Sequence, residues 1–251
     1  MNIVIKNFEE IILLHESGKI LAETLQRVSD LAKEGMSTLE LDIFAEKFIR
    51  EQGGIPAFKG YHGFPGTLCT SINEEIVHGI PRADKILKNG DLLTIDCGVS
   101  YKGLITDSAI SIGIGEISKE KENLIKTADE ALSKAIDIAK PGVHLSELSK
   151  VIEKTIKTAG FHVIKDLTGH GVGRQLHEDP IILNFFDGNP GPILKPGMTL
   201  AIEPIFSSKT SEMRELKDRW TLVTIDNSCA VQSEHTILIT ENGNEILTKR
   251  Q

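Results

Sequence analysis

The sequence predicts an α+β fold with a mainly antiparallel sheet, and three observations carry that expectation. Two helical segments open the chain and two more open near residue 118, each pair followed by short apolar strands rather than by strand–helix alternation. A 23-residue stretch of the first block, 31–53, aligns without gaps on 138–160 with 9 identities, among them Gly35/Gly142, Glu40/Glu147, Leu41/Leu148, Glu46/Glu153 and Gly53/Gly160. Acidic residues also interrupt several strand-like apolar runs.

The elements follow in order. Residues 7–34 read as a helix, with Phe8, Ile11, Ile12, Ile20, Leu21, Leu25, Val28 and Leu31 at roughly helical spacing. After a break at Gly35, Ser37 and Glu40 have the spacing of a capping box, and the second helix stops near Gly53-Gly54. A long helix over 118–139 breaks at Pro141-Gly142, and a shorter one runs to Gly160. Strands are expected near 68–73, 76–79, 91–98, 104–112, 162–166, 181–184, 199–206, 220–226 and 230–240, with Ser207 to Arg219 as a surface loop. No linker separates the blocks. The expectation is one domain over 1–251, with duplicated halves of about 1–115 and 116–251.

Composition narrows the function. With 40% hydrophobic and 25% charged residues, a 251-residue chain builds a sizeable core. The net charge is −8 and no Lys/Arg-rich run exists, which argues against nucleic acid or an anionic membrane as the main partner. The apolar run Ile11 to Leu14 is too short for a signal peptide and is flanked by acidic residues, and no stretch approaches a membrane span. Three scattered cysteines, Cys69, Cys97 and Cys229, suit a reducing cytosol. The sequence has no HExxH or CxxC zinc motif and no G-x-S-x-G elbow.

Five side chains stand out: Asp96, Asp107, His170, Glu203 and Glu234. Carboxylates are rarely buried unless paired or bound to metal, and four converging without cations would repel. Two divalent ions held by these five groups resolve the conflict and imply hydrolytic chemistry. Asp96 and Asp107 flank a turn at 99–103. A hairpin centred between Tyr101 and Lys102 would place them directly opposite, about 4.5–5.5 Å apart at Cβ. His170, framed by Gly169 and Gly171, reads as a turn residue where backbone bends or approaches closely. Glu203 follows Leu200-Ala201-Ile202, and Glu234 opens the last strand. Strand alternation turns His235 away from Glu234. Taken alone, His78 could be a mere turn residue before Pro81.

Together these segments resemble the type I methionine aminopeptidases of bacteria. The resemblance rests on Ser71-Ile72-Asn73-Glu74-Glu75, Val77-His78-Gly79-Ile80-Pro81, Asp96 and Asp107 eleven apart, Thr168 to Gly173, His177-Glu178, Glu203-Pro204 and Gln232 to Thr236. It implies the pita-bread fold, two pseudo-symmetric α/β halves around a dinuclear metal site. By the family pattern Asp96, Asp107 and Glu234 hold one ion, and Asp107, His170, Glu203 and Glu234 the other. The ions would be Co, Mn, Fe or Zn. They would share a water whose lowered pKa makes it a hydroxide nucleophile at the first peptide bond. Glu203 would shuttle protons, and His78 and His177 would be catalytic without binding metal. Tyr61, His62, Phe64, Cys69 and Trp220, with the two histidines, would contact substrate.

The implied substrates are nascent polypeptides and peptides with amino-terminal Met and a small second residue. The implied setting is a cytoplasmic monomer, with transient ribosome contact allowed. Phe58, Leu176 and Ile105-Thr106 depart from the commoner bacterial pattern and alter the expected pocket shape. An X-Pro dipeptidase could use the same five ligands, although such chains usually carry a further amino-terminal domain. A non-catalytic binding module of the same fold typically lacks some of the five.

Overall fold

A computed structural model describes residues 2–250. Helix α1 (Phe8–Leu31) begins at Asn7 and α2 (Thr38–Glu51) at Ser37, each closed by a reciprocal capping box with Glu10 and Glu40. Strands β1 (Ile55–Pro56), β2 (Leu68–Ile72), β3 (Glu75–Val77), β4 (Leu92–Tyr101) and β5 (Leu104–Gly113) follow. Helices α3 (Lys119–Ile138) and α4 (Leu145–Thr158) open the second block. Its strands are β6 (His162–Val163), β7 (Thr168–Gly171), β8 (Glu178–Leu183), β9 (Thr199–Ile202), β10 (Ile205–Ser207), β11 (Met213–Glu215), β12 (Leu222–Thr224), β13 (Ala230–Gln232), β14 (His235–Ile239) and β15 (Asn244–Ile246). All named pairings are antiparallel, as the sequence predicts.

The two halves are pseudo-symmetric, and the 107-residue offset extends well beyond the matched helices. It relates α2 to α4, β1 to β6, and the first residue of β4 to that of β9. It also relates the isolated bridge Ser37–Ile86 to His144–Ile193, and the positive-φ glycines Gly35, Gly53 and Gly90 to Gly142, Gly160 and Gly197. Each helix pair covers one face of its sheet. Leu21, Leu25, Leu41 and Ile49 pack on Leu93, Ile95, Cys97 and Val99, while Leu148, Ile152 and Ile156 pack on Leu200, Ile202 and Ile237. Strand alternation then sends Asp96 to the uncovered face of β4, and Ala201 and the following Glu203 to the uncovered face at β9. Both acids therefore face the middle of the molecule.

Several expectations are corrected. The β4–β5 turn is centred between Lys102 and Gly103, both at positive φ (49° and 87°), the demand of a two-residue type I′ turn. Asp96 therefore opposes Ala109 and Asp107 opposes Gly98, so the two aspartates are diagonal neighbours rather than a direct pair. His170 lies in a strand, not a turn. An added Cβ at Gly169 would sit 2.4 Å from the Ala201 carbonyl oxygen and one at Gly171 2.2 Å from that of Asp179, so both glycines serve close strand packing. The expected strands 199–206 and 230–240 are each interrupted, at Glu203-Pro204 and Ser233-Glu234. The 207–219 loop contains β11, which pairs with β12. Among the described residues no helix is long and apolar enough to cross a membrane.

Candidate metal centre

The two sheet interruptions create the site. Glu203 and Glu234 occupy matching breaks, since β9 pairs with β14 before them and β10 with β13 beyond. The backbone N–H of Glu234 donates to the Ala109 carbonyl (3.0 Å), and its carbonyl accepts from Ser108 Oγ (2.6 Å), which ties the last strands to β5. Asp107 is clamped from the same side. Its N–H donates to Thr236 Oγ1 (2.9 Å), and that hydroxyl donates to the Asp107 carbonyl (2.7 Å). Asn184 Nδ2 donates to the Glu203 carbonyl at 3.0 Å.

His170 enters from β7 between β8 and β9. Its Nδ1 lies 2.8 Å from the Gly171 carbonyl oxygen, so Nδ1–H donates and Nε2 keeps its lone pair. Nε2 lies 3.5 Å from Glu203 Oε1 and 3.9 Å from Asp107 Oδ2. Ligand atoms of Asp107, His170 and Glu234 all lie within 4.8 Å of one another. Asp96 lines the same cavity as Asp107, His170, Glu203 and Glu234, which completes the five-residue cluster.

All five side chains are buried. Burial raises the carboxyl of Asp96 to about 7. Burial, with the neighbouring acids second, pushes Asp107, Glu203 and Glu234 well above the carboxylate range. Burial, then the nearby His177, lowers His170 to about 4. The cluster thus holds surplus protons unless cations replace them. Asp96 Oδ1, Asp107 Oδ1 and Glu234 Oε1 are buried without any hydrogen-bond partner. Unpartnered anionic oxygens beside a lone imidazole nitrogen fit divalent cations, so the donor set suits the metals that the sequence implies.

A cavity of about 500 Å³ opens from this cluster. Phe58, Phe64, Cys69 and Leu176 form its buried apolar wall, with Tyr61 and Trp220 packed against them. Phe64 and Trp220 meet edge to face at 5.1 Å. Gly98 leaves the space that Phe58 fills, since a Cβ there would lie 2.7 Å from its ring. Asp166, Glu178, Asp179 and the exposed Ile181 also line it.

His78 and His177 both line the cavity. His78 has φ 59° and its ring stands 6.3 Å from Trp220. The His177 ring lies 4.4 Å from His170, and its Nδ1 is 3.0 Å from the Tyr61 hydroxyl. Burial lowers the pKa of both, with a second contribution to His78 from His177 and to His177 from His62. His62 does not line the cavity; it packs edge-on against Tyr61 at 4.4 Å. His235 bonds Thr248 Oγ1 through Nδ1 (2.9 Å), away from the cavity, and burial holds it at about 3.

Sequence reasoning missed the neutral groups. Gln232 Nε2 donates to Glu203 Oε2 (3.2 Å) and Glu234 Oε2 (3.4 Å), bridging two acids without adding charge. Gln232 and Thr236 flank Glu234 by two residues on each side, so strand alternation could have placed all three on one face.

A sheet core that buries four acids and one imidazole beside an apolar cavity defines a metal-dependent hydrolase, and comparison with known proteins agrees. The model of Metallopeptidase family M24 matches residues 13–241. The chain is 44% identical over 247 residues to methionine aminopeptidase 1 of Bacillus subtilis, covering 98% of this chain and 99% of that protein. The crystal structure of methionine aminopeptidase from Thermotoga maritima superposes with a TM-score of 0.97 at 42% identity, over 99% of this chain and 100% of that one. A prolidase from Pyrococcus horikoshii is more distant, with a TM-score of 0.81 at 26% identity over 99% of this chain and 64% of that chain. The chain belongs to metallopeptidase family M24, among its methionine aminopeptidases.

Proposed function

We propose that the protein removes amino-terminal methionine from peptides and nascent proteins whose second residue is small, as a cytoplasmic, dinuclear metallo-aminopeptidase. The observation that carries this is the junction of three partnerless buried carboxylate oxygens with an apolar cavity sized for a small ligand. Asp96, Asp107 and Glu234 would hold one cation, and Asp107, His170, Glu203 and Glu234 the second. When bound, such ions supply Lewis acidity and lower the pKa of a water from about 15.7 towards about 7.

The chain supplies the rest. Phe58, Phe64, Cys69, Leu176, Tyr61 and Trp220 offer apolar surface and aromatic faces to a thioether side chain. Glu203 is the acid nearest His170 and takes a proton as the nucleophile attacks, then returns it to the leaving amine. His177 is kept neutral by burial and oriented through Nδ1 by Tyr61, so that Nε2–H is free to donate to the developing oxyanion. His78, also neutral, donates to the substrate beyond the scissile bond. The acidic charge of the chain and its three free cysteines support a cytosolic setting without nucleic acid as substrate. We place it there as a monomer that meets nascent chains transiently.

The test is the initial rate on Met-Ala-Ser and on Gly-Pro after metal stripping and readdition of Co, Mn, Fe or Zn separately. Restored turnover of Met-Ala-Ser with at most slow Gly-Pro cleavage is expected. Faster cleavage of Gly-Pro would move the assignment to a prolidase.

A further inference from the structure

The segment that carries His177 is held from the far end of the chain. Lys6 donates its backbone N–H to the Gly197 carbonyl (2.8 Å). Its side chain then runs inward past Gly173, where an added Cβ would lie 2.3 Å from Lys6 Cε. The ammonium ends 2.5 Å from Glu178 Oε2, with only 1% of the lysine and 4% of the glutamate side chain exposed. The other oxygen, Glu178 Oε1, accepts the backbone N–H of Gln175 at 3.0 Å. One carboxylate thus closes the loop 175–178, which presents Leu176 and His177 to the cavity.

The surrounding contacts follow the same logic. Arg174 pairs with Glu10 of α1 at 2.6 and 3.1 Å, and the Asn2 N–H donates to Asp179 Oδ2 at 2.5 Å. These are exposed, whereas Lys6–Glu178 is buried. A buried pair gains little net stability over an apolar replacement, because desolvation offsets attraction. Its distinctive contribution is directional: one buried fixed point on the loop that carries His177.

We propose that Lys6 is a positioning residue for His177. Through Glu178 it fixes the 175–178 loop, so that the imidazole stands at its distance from His170 and from Tyr61. This rests on the assignment of His177 as a donor in the transition state. Misplacing such a group by about 1 Å costs up to about 10²-fold in rate.

The experiment measures kcat and KM on Met-Ala-Ser, together with metal content, for wild type, Lys6→Met, Lys6→Met/Glu178→Gln, His177→Ala and Lys6→Met/His177→Ala. Lys6→Met should lower kcat at least about tenfold with KM and metal content near wild type, and should cost nothing further once His177 is absent. Lys6→Met/Glu178→Gln removes both charges and should fold even if Lys6→Met does not, with the same loss in kcat. A wild-type kcat in the Lys6 variants, loss of metal in them, or a further equal loss on top of His177→Ala overturns the role of Lys6 alone. A wild-type kcat for His177→Ala overturns the role of His177, and that of Lys6 with it.

Discussion

The hydroxyl of Thr236 grips both backbone polar groups of Asp107, accepting from its N–H at 2.9 Å and donating to its carbonyl at 2.7 Å. The two residues come from opposite halves of the chain, so the contact aligns an acid of the first half with Glu234 of the second. Thr236→Val keeps the shape and removes the hydroxyl. It leaves a buried N–H and C=O without that partner, at about 1–3 kcal/mol of stability. Affinity for divalent metal should fall about 10–100-fold, the scale of lost groups behind a ligand. Calorimetric metal titration checks this; unchanged affinity would dissociate the clamp from the site.

His170 and His177 stand 4.4 Å apart yet should fail differently when removed. His170→Ala should lower both metal content and activity, because its Nε2 faces Glu203 and Asp107. His177→Ala should keep its metal and lose about 10²–10³-fold in kcat, the scale of one oxyanion donor, with little change in KM. Metal analysis beside steady-state kinetics decides it, and the opposite pattern would reverse the two roles.

Metal removal should make stability depend on pH in a defined direction. In the metal-free protein Asp96 titrates near 7 against 3.8 for the free side chain, and Asp107, Glu203 and Glu234 shift the same way. Their folded pKa exceeds the unfolded one, so the stability they lend is full at low pH and is lost as pH rises through the folded value. His170, lowered to about 4 from 6.5, opposes this only below 6.5. Above about pH 6.5 the carboxyls act unopposed by His170, and the melting temperature of chelated protein should fall as pH rises further. Added divalent ion should raise it most at the upper end. A flat profile in chelator would mean that the acids are not crowded.

The second substrate residue should be restricted by the rings of His78 and His177, which line the cavity beside the acid cluster. Met-Ala-Ser and Met-Gly-Ser should be cleaved well, and Met-Lys-Ser hardly at all. Equal kcat/KM for Met-Ala-Ser and Met-Lys-Ser would remove the case for a steric limit.

Much of this architecture was legible before any coordinates. Capping at Ser37 with Glu40 fixed one helix start, because the reciprocal bonds are local. The repeat of 31–53 at 138–160 falls on α2 and α4, and the same offset links Asp96 to Glu203. A slip of two in the β4–β5 register moved Asp107 from Asp96 to Gly98 yet left both acids on one face, because side chains alternate with period two.

The amino-acid sequence by itself determined which residue types meet: four acids and an imidazole among apolar strands, a chemistry that bound cations or extra protons must relieve. Tertiary structure alone decided how they are held. Gly169 and Gly171 are spacers for neighbouring backbones rather than hinges, a distinction that depends on strands distant in sequence. Gln232 and Thr236 are neutral: alternation could put them on the face of Glu234, but what they hold there depends on bonds made only in the packed fold. Lys6 meets Glu178 across 172 positions of chain, a separation at which local spacing says nothing and only the packed fold brings charges together.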